Sequence, residues 1–200
     1  MIKTILFDLG NVIVSFDFKR AFGRLQPLCN YEVSDIPRRL RGTDLIHRFE
    51  AGEIGPRQFV ADLCKVLDLE IDYDEFCSIW TGVFLPEPLI SESLVRNLAG
   101  RYRLIIVSNT NPIHFGMIQR TYPLLQHFDD YVLSYEVGAL KPDRKIYEAA
   151  VARAECSAGE CFFTDDLAVN VQAAREHGMD AVQFLSAVQL ERELQTRGLL

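Results

Sequence analysis

Positive charge is in short supply: 21 Lys and Arg stand against 28 Asp and Glu, a formal net charge of −7 over 200 residues. Nucleic acid is gripped by Lys and Arg that neutralise its phosphates, so this deficit argues against a nucleic-acid partner. The five cysteines, Cys29, Cys64, Cys77, Cys156 and Cys161, contain no C-x-x-C pair. An odd number without that spacing suggests neither a disulfide framework nor a zinc site, and they read as small core residues. Long apolar runs are missing too, since pieces such as Leu104-Ile105-Ile106-Val107 fall far short of the roughly 18 residues that span a bilayer. Met1-Ile2-Lys3-Thr4 passes directly into a strand pattern without the layout of a signal peptide, so a cytoplasmic protein with no membrane partner is expected. Neither G-x-x-x-x-G-K-S/T nor G-x-G-x-x-G occurs, which removes the usual support for nucleotide-cofactor chemistry.

What remains is a chain of 48% hydrophobic residues, long enough to bury a core of its own. From Tyr102 onward short apolar strands alternate with amphipathic helices. Strands are predicted at Arg103 to Val107, Asp130 to Leu133, Cys161 to Thr164 and Ala181 to Phe184, and helices near 112–121, 143–155, 167–177 and 187–196. Strand and helix in turn mean βαβ crossovers and an α/β fold with a Rossmann-like parallel sheet. The stretch from about Ser15 to Phe84 has helical periodicity and no convincing strand. There Asp17 can cap a helix, Gly52 can end one and Pro56 suits a first turn. The expected organisation is an α/β core of residues 1–14 and 85–200 with a helical cap of residues 15–84 inserted after the first strand. Pro86 and Pro88 mark the expected hinge.

Four positions follow predicted strands and carry chemistry. The run Ile2 to Phe7 delivers Asp8 into a turn, Leu9-Gly10-Asn11-Val12; Ser108-Asn109-Thr110 follows the second core strand; Lys141 precedes Pro142; and Asp165-Asp166 ends the strand Cys161 to Thr164. Singly each has a plain structural reading: Asp8 as a turn former, Ser108 and Asn109 as a helix cap, Lys141 as a loop lysine, the acidic pair as a cap at a helix start. Together they fall where parallel sheets bind ligands, at the carboxyl ends of the strands. Carboxylates brought together there repel unless a cation lies between them, and hard oxygens without His or Cys favour magnesium. Ser108, Asn109 and a helix N-terminus could receive phosphate oxygens, with Lys141 supplying a positive charge.

In residue type and order these motifs resemble the haloacid dehalogenase (HAD) superfamily, and the resemblance covers nearly the whole chain. Phe7-Asp8-Leu9-Gly10-Asn11-Val12, Ser108-Asn109-Thr110-Asn111, Lys141-Pro142 and Phe163-Thr164-Asp165-Asp166 are most similar to bacterial α-D-glucose-1-phosphate phosphatases and to epoxide-hydrolase-related phosphatase domains. The resemblance implies a phosphatase in which Asp8 attacks phosphorus and forms an aspartyl-phosphate. It further implies Mg²⁺ held by Asp8, the Gly10 carbonyl and Asp166, with Asp165 beside the metal directly or through water. Asn170 would hold a metal-bound water, and Ser108, Asn109 and Lys141 would bind phosphate. The expected partner is a small phosphorylated molecule, and a monomer would suffice.

Gly10 departs from the superfamily's commoner pattern, in which a second Asp protonates the leaving oxygen. A sugar 1-phosphate, whose anomeric hydroxyl leaves more readily than an ordinary alcohol, would need that proton less. Two alternatives stand beside this reading. One is a metal-independent 2-haloacid dehalogenase, against which the acidic pair argues; the other is a weakly active, phosphate-binding relative that has lost turnover with Gly10.

Overall fold

The computed structural model describes residues 1–200. Seven strands form: β1 (Thr4–Phe7), β2 (Val14–Phe16), β3 (Phe84–Pro88), β4 (Arg103–Ser108), β5 (Asp130–Leu133), β6 (Cys161–Asp165) and β7 (Asp180–Gln183). Five of them make one parallel sheet in the order β5-β4-β1-β6-β7, with β1 at its centre. A central parallel strand is covered on both faces, and Thr4 to Phe7 are accordingly all buried. Side chains alternate along it: Ile5 and Phe7 pack in a cluster with Leu104, Ile106 and Phe162, while Leu6 points the other way among Ile105, Val107 and Phe163. The fold is the expected Rossmann-like α/β sheet with helices on both faces.

β1 aligns Phe7 with Ile106 of β4 and with Thr164 of β6. One step further, the Asp8 amide donates to the Thr164 carbonyl at 2.9 Å, so the chain that leaves β1 is still tied to β6 when it reaches the carboxylate. That register places Asp8, Ser108 and Asp165 at one edge of the sheet.

Between β2 and β3 the chain is helical, with a hydrophobic cluster of its own in which Phe49, Phe59, Phe76 and Trp80 are buried. Phe49 and Phe59 stack at 4.1 Å between ring centroids, and Trp80 stacks on Phe76 at 5.6 Å. Local chemistry sets the helix ends. Asp17 caps Phe18–Leu25 by accepting from the Lys19 amide at 2.9 Å, Pro56 opens Pro56–Leu67, and Asp72 caps Tyr73–Thr81 through the Glu75 amide.

One local feature differs from the sequence reading. Pro86 and Pro88 lie within β3, which pairs antiparallel with β2 as a separate ribbon. Proline is tolerated there because a two-stranded ribbon is all edge, and Val14, Phe16 and Phe84 supply the apolar contacts. The junction of the helical segment with the sheet is therefore a paired ribbon that contains both prolines. No helix is long and apolar enough to cross a membrane.

Candidate active site

Asp8, Lys141 and Asp165 meet in a buried cluster. The Lys141 ammonium lies 2.7 Å from Asp8 Oδ1 and 2.6 Å from Asp165 Oδ2, and it donates to the Val107 carbonyl at 2.8 Å. Three acceptors match the three protons of an ammonium, which satisfies a lysine side chain that is 1% exposed. Asn109 fixes the lysine from behind: its Oδ1 accepts from the Lys141 amide at 2.6 Å and its Nδ2 donates to the Lys141 carbonyl at 2.9 Å. The side-chain amide expected to bind phosphate thus holds the lysine loop, while the Asn109 backbone N–H has no protein acceptor.

Asp165 is saturated. Its Oδ1 accepts from the Leu167 amide at 2.8 Å and from Asn170 Nδ2 at 3.0 Å; its Oδ2 accepts from Lys141 and from Asn170 at 3.1 Å. Three donors thus converge on it, with Asn170 Nδ2 bridging both oxygens, and each oxygen has two of these contacts. Direct metal ligation by Asp165, one of the two arrangements considered from the sequence, would have to displace one of these donors. Asn170 likewise faces Asp165, and its own carbonyl accepts from the Tyr147 hydroxyl at 2.9 Å.

Asp8 and Asp166 differ in having free oxygens. Asp8 Oδ1 accepts from the Leu9 amide at 2.7 Å and faces Lys141, whereas its Oδ2 has no protein donor. Asp166 is half-buried, and its contact is a 3.3 Å hydrogen bond from Asn11 Nδ2. Oxygens of Asp8, Asp165 and Asp166 all lie within 4.8 Å of one another. One ammonium does not balance three carboxylates in a low-dielectric setting. Burial, reinforced by the Asp165 charge, pushes Asp8 up to about 7 in spite of Lys141, and burial also raises Asp166.

Asp8, Gly10, Asn109, Lys141, Asp166 and Asn170 line one cavity of about 240 Å³. Ser108 is buried and makes only a 3.4 Å hydrogen bond, to the Asn109 carbonyl. Of the site residues expected from the sequence, Asp165 and Ser108 do not border this space: Asp165 is fully buried behind Lys141 and Asn170, and Ser108 borders an adjoining cavity that shares Gly10, Phe16 and Asn109 with it. Three further residues were not foreseen. Asn11 takes φ +55, a left-handed turn conformation that Asn tolerates, and reaches Asp166. Phe16 approaches Gly10 so closely that a Cβ there would lie 2.9 Å from its ring. Glu50 lines the adjoining cavity, and nothing in its sequence context marks it out.

His114 closes the far side of that cavity. Its Nε2 lies 3.1 Å from the Trp80 carbonyl and its Nδ1 3.2 Å from Asn111 Nδ2, while Asn111 Oδ1 caps the helix at the His114 amide. The network assigns the neutral ring with its proton on Nε2, and desolvation lowers its pKa to about 4. The unfolded chain takes up this proton near pH 6.5 and the folded one only near 4, so the unfolded state binds more protons between them and stability falls as pH drops through that window. Urea unfolding should show a loss of up to about 3 kcal/mol from this residue, and His114→Gln should flatten the profile. Equal slopes in wild type and variant would contradict the assignment.

A parallel α/β sheet thus carries carboxylates at the ends of β1 and β6 with a buried lysine between them. The haloacid dehalogenase-like hydrolase profile matches residues 2–178, and the chain belongs to that family. It is 27% identical to a D-ribitol-5-phosphate phosphatase of Bacteroides thetaiotaomicron over 97% of both chains. It is also 27% identical to a phosphatase of Mycobacterium tuberculosis over 90% of this chain and 86% of that one. Among solved structures, a HAD family enzyme of B. thetaiotaomicron in complex with magnesium and inorganic phosphate superposes with a TM-score of 0.84, at 24% identity over 93% of this chain and 96% of that one. The L-2-haloacid dehalogenase of Xanthobacter autotrophicus shares the fold at a TM-score of 0.65 and 17% identity, over 100% and 85% of the two chains.

Proposed function

We propose that this chain is a magnesium-dependent phosphomonoesterase of a small, hydroxyl-rich phosphate, with Asp8 as the nucleophile. The observation that carries the reading is Asp8 itself: a buried carboxylate at the end of the central strand, with Oδ1 held by Leu9 and Lys141 and Oδ2 free to attack. The donor set fits a hard divalent ion, because Asp166 keeps a free oxygen, Asp8 and the backbone of Gly10 border the same cavity, and no His or Cys does. These three would hold the metal, with Asp165 outside direct ligation because its oxygens are taken. Bound there, magnesium would neutralise the repulsion between the carboxylates and an incoming phosphate.

Asp8 Oδ2 forms the bond to phosphorus as the bond to the leaving oxygen breaks, giving an aspartyl-phosphate that water hydrolyses. Lys141, immobilised by Asn109 and Asp165, stabilises charge on the transferring oxygens. The Asn109 backbone N–H, which has no protein acceptor, would donate to them, and the Ser108 hydroxyl would do so after turning from the Asn109 carbonyl. Gly10 can give no proton. An aspartate there would first have to displace the Phe16 ring, so the glycine and that ring form a matched pair. Residues 15–84 act as the cap that shields the strand ends from water.

The resemblance in sequence suggests α-D-glucose 1-phosphate, and the 27% identical relative is named for D-ribitol 5-phosphate. Both are monophosphates of polyhydroxylated carbon chains, and that class is the proposed substrate. Phosphate release measured over a panel of sugar and sugar-alcohol phosphates should require magnesium. It should fall on the order of 100-fold or more in EDTA and recover when magnesium is restored. Full activity in EDTA, with chloride released from 2-chloropropionate, would instead indicate a metal-independent dehalogenase.

A further inference from the structure

Glu50 ends the helix Leu45–Glu50 in the helical segment. Two residues on, Gly52 has φ +73, and a Cβ on it would lie 2.1 Å from the Tyr135 carbonyl oxygen, so the segment packs backbone to backbone against the core just after β5. Only glycine permits that approach. Glu50 is thereby held beside the sheet edge instead of on a swinging tip.

Its cavity, of about 110 Å³, is bordered by Gly10, Phe16, Phe18, Ser108 and Asn109 among others. The cavity that holds Asp8, Lys141 and Asp166 shares Gly10, Phe16 and Asn109 with it. The two cavities adjoin at Gly10, Phe16 and Asn109, so the group attached to a phosphate on Asp8 would meet Glu50 if it extends past those residues. There Glu50 is the one carboxylate, and it has no hydrogen bond or ion pair. Glu50 is partly exposed, and burial pushes its carboxyl up to about 7 with no protein donor to offset it. The other titratable side chain lining this cavity, His114, is neutral with both ring nitrogens occupied, so it offers Glu50 no charge. The remaining walls include the Phe16, Phe18 and Phe84 rings, which present apolar surface to C–H groups.

We infer that Glu50 determines specificity for the leaving group: its carboxyl accepts hydrogen bonds from hydroxyls of the departing sugar or sugar alcohol and disfavours a second phosphate there. The inference rests on the phosphatase reading above and adds to it which residue selects the alcohol. A leaving group without hydroxyls leaves the carboxyl unpaired, and a site built around a polar group discriminates strongly on that basis.

The test compares wild type, Glu50→Gln and Glu50→Ala on three magnesium-supplemented substrates: α-D-glucose 1-phosphate or D-ribitol 5-phosphate, whichever wild type hydrolyses faster; p-nitrophenyl phosphate; and a hexose bisphosphate. The expected result for Glu50→Ala is a loss of kcat/KM on the hydroxyl-rich monophosphate at least tenfold greater than on p-nitrophenyl phosphate, carried mainly by KM. Glu50→Gln, which keeps the acceptor oxygen and removes the charge, should lose less and gain on the bisphosphate relative to the monophosphate. Equal losses on the first two substrates, or no loss on either, would overturn the inference while the phosphatase reading stands. A wild type that releases phosphate from none of the three would overturn both.

Discussion

Asp8→Asn should abolish phosphate release, lowering kcat on the order of 10⁴-fold or more, and should leave the fold intact. The amide keeps the shape of the carboxylate but cannot form the bond to phosphorus. Its effect on stability separates a catalytic residue from a structural one. In wild type the Lys141 ammonium faces both Asp8 and Asp165, one positive charge against two negative. Burial raises Asp8 to about 7, so ionising it disfavours the folded state: the contribution is favourable below the unfolded carboxyl's pKa near 4 and is lost as pH rises through 7. Asn at this position leaves a balanced Lys141–Asp165 pair. In EDTA at pH 8 the variant should therefore be more stable than wild type, by on the order of 2 kcal/mol, although inactive. Undiminished turnover in Asp8→Asn would require another nucleophile, and a large loss of stability would mean that Asp8 is there to hold the turn.

Much of this arrangement is legible in the sequence because it depends on period and punctuation. Asp130 to Leu133 and the helices at 112–121 and 187–196 coincide with the observed elements, since an apolar run or an amphipathic repeat bounded by Asn111, Pro112 or Ser186 leaves little choice. Asp8 and Lys141 are visible because each is a polar residue where a buried strand or its crossover ends. Pairing between distant segments is what the sequence hides. The ribbon of β2 and β3 joins Val14–Phe16 to Phe84–Pro88, and neither three residues nor a proline-bearing run announces a strand. Division of labour within the site is hidden as well. Asn109 is expected from the sequence to bind phosphate and Asn170 to hold a metal-bound water; that their side-chain amides also hold the Lys141 loop and the Asp165 carboxylate depends on a few ångströms of loop geometry. Glu50 enters the site only because Gly52 lets the helical segment settle on Tyr135. That approach involves residues more than eighty positions apart, and no local pattern encodes it.

Lys141→Met should cost both stability and activity, with the stability loss on the order of 3–5 kcal/mol. The methionine fills most of the volume of the lysine stem, so packing changes little. What disappears is the ammonium that serves Asp8, Asp165 and the Val107 carbonyl together. Asp165 has no solvent exposure, and although Asn170 and Leu167 still donate to it, neither carries a charge. Breaking a buried pair from one side leaves the other charge uncompensated, and that penalty exceeds what the pair contributes relative to an apolar replacement. The double variant Lys141→Met with Asp165→Asn should therefore recover most of the stability that Lys141→Met loses, with a coupling of several kcal/mol in a double-mutant cycle followed by urea unfolding. It should recover none of the activity, because the charge that steadies the transferring phosphoryl group is still missing, a loss on the order of 10³-fold. Stability and turnover are thus expected to part company at Lys141: the first depends on charge balance within the buried cluster, the second on a positive charge beside Asp8. Additive stability losses in the double variant would place Lys141 and Asp165 in separate roles and remove the physical basis for reading them as one device.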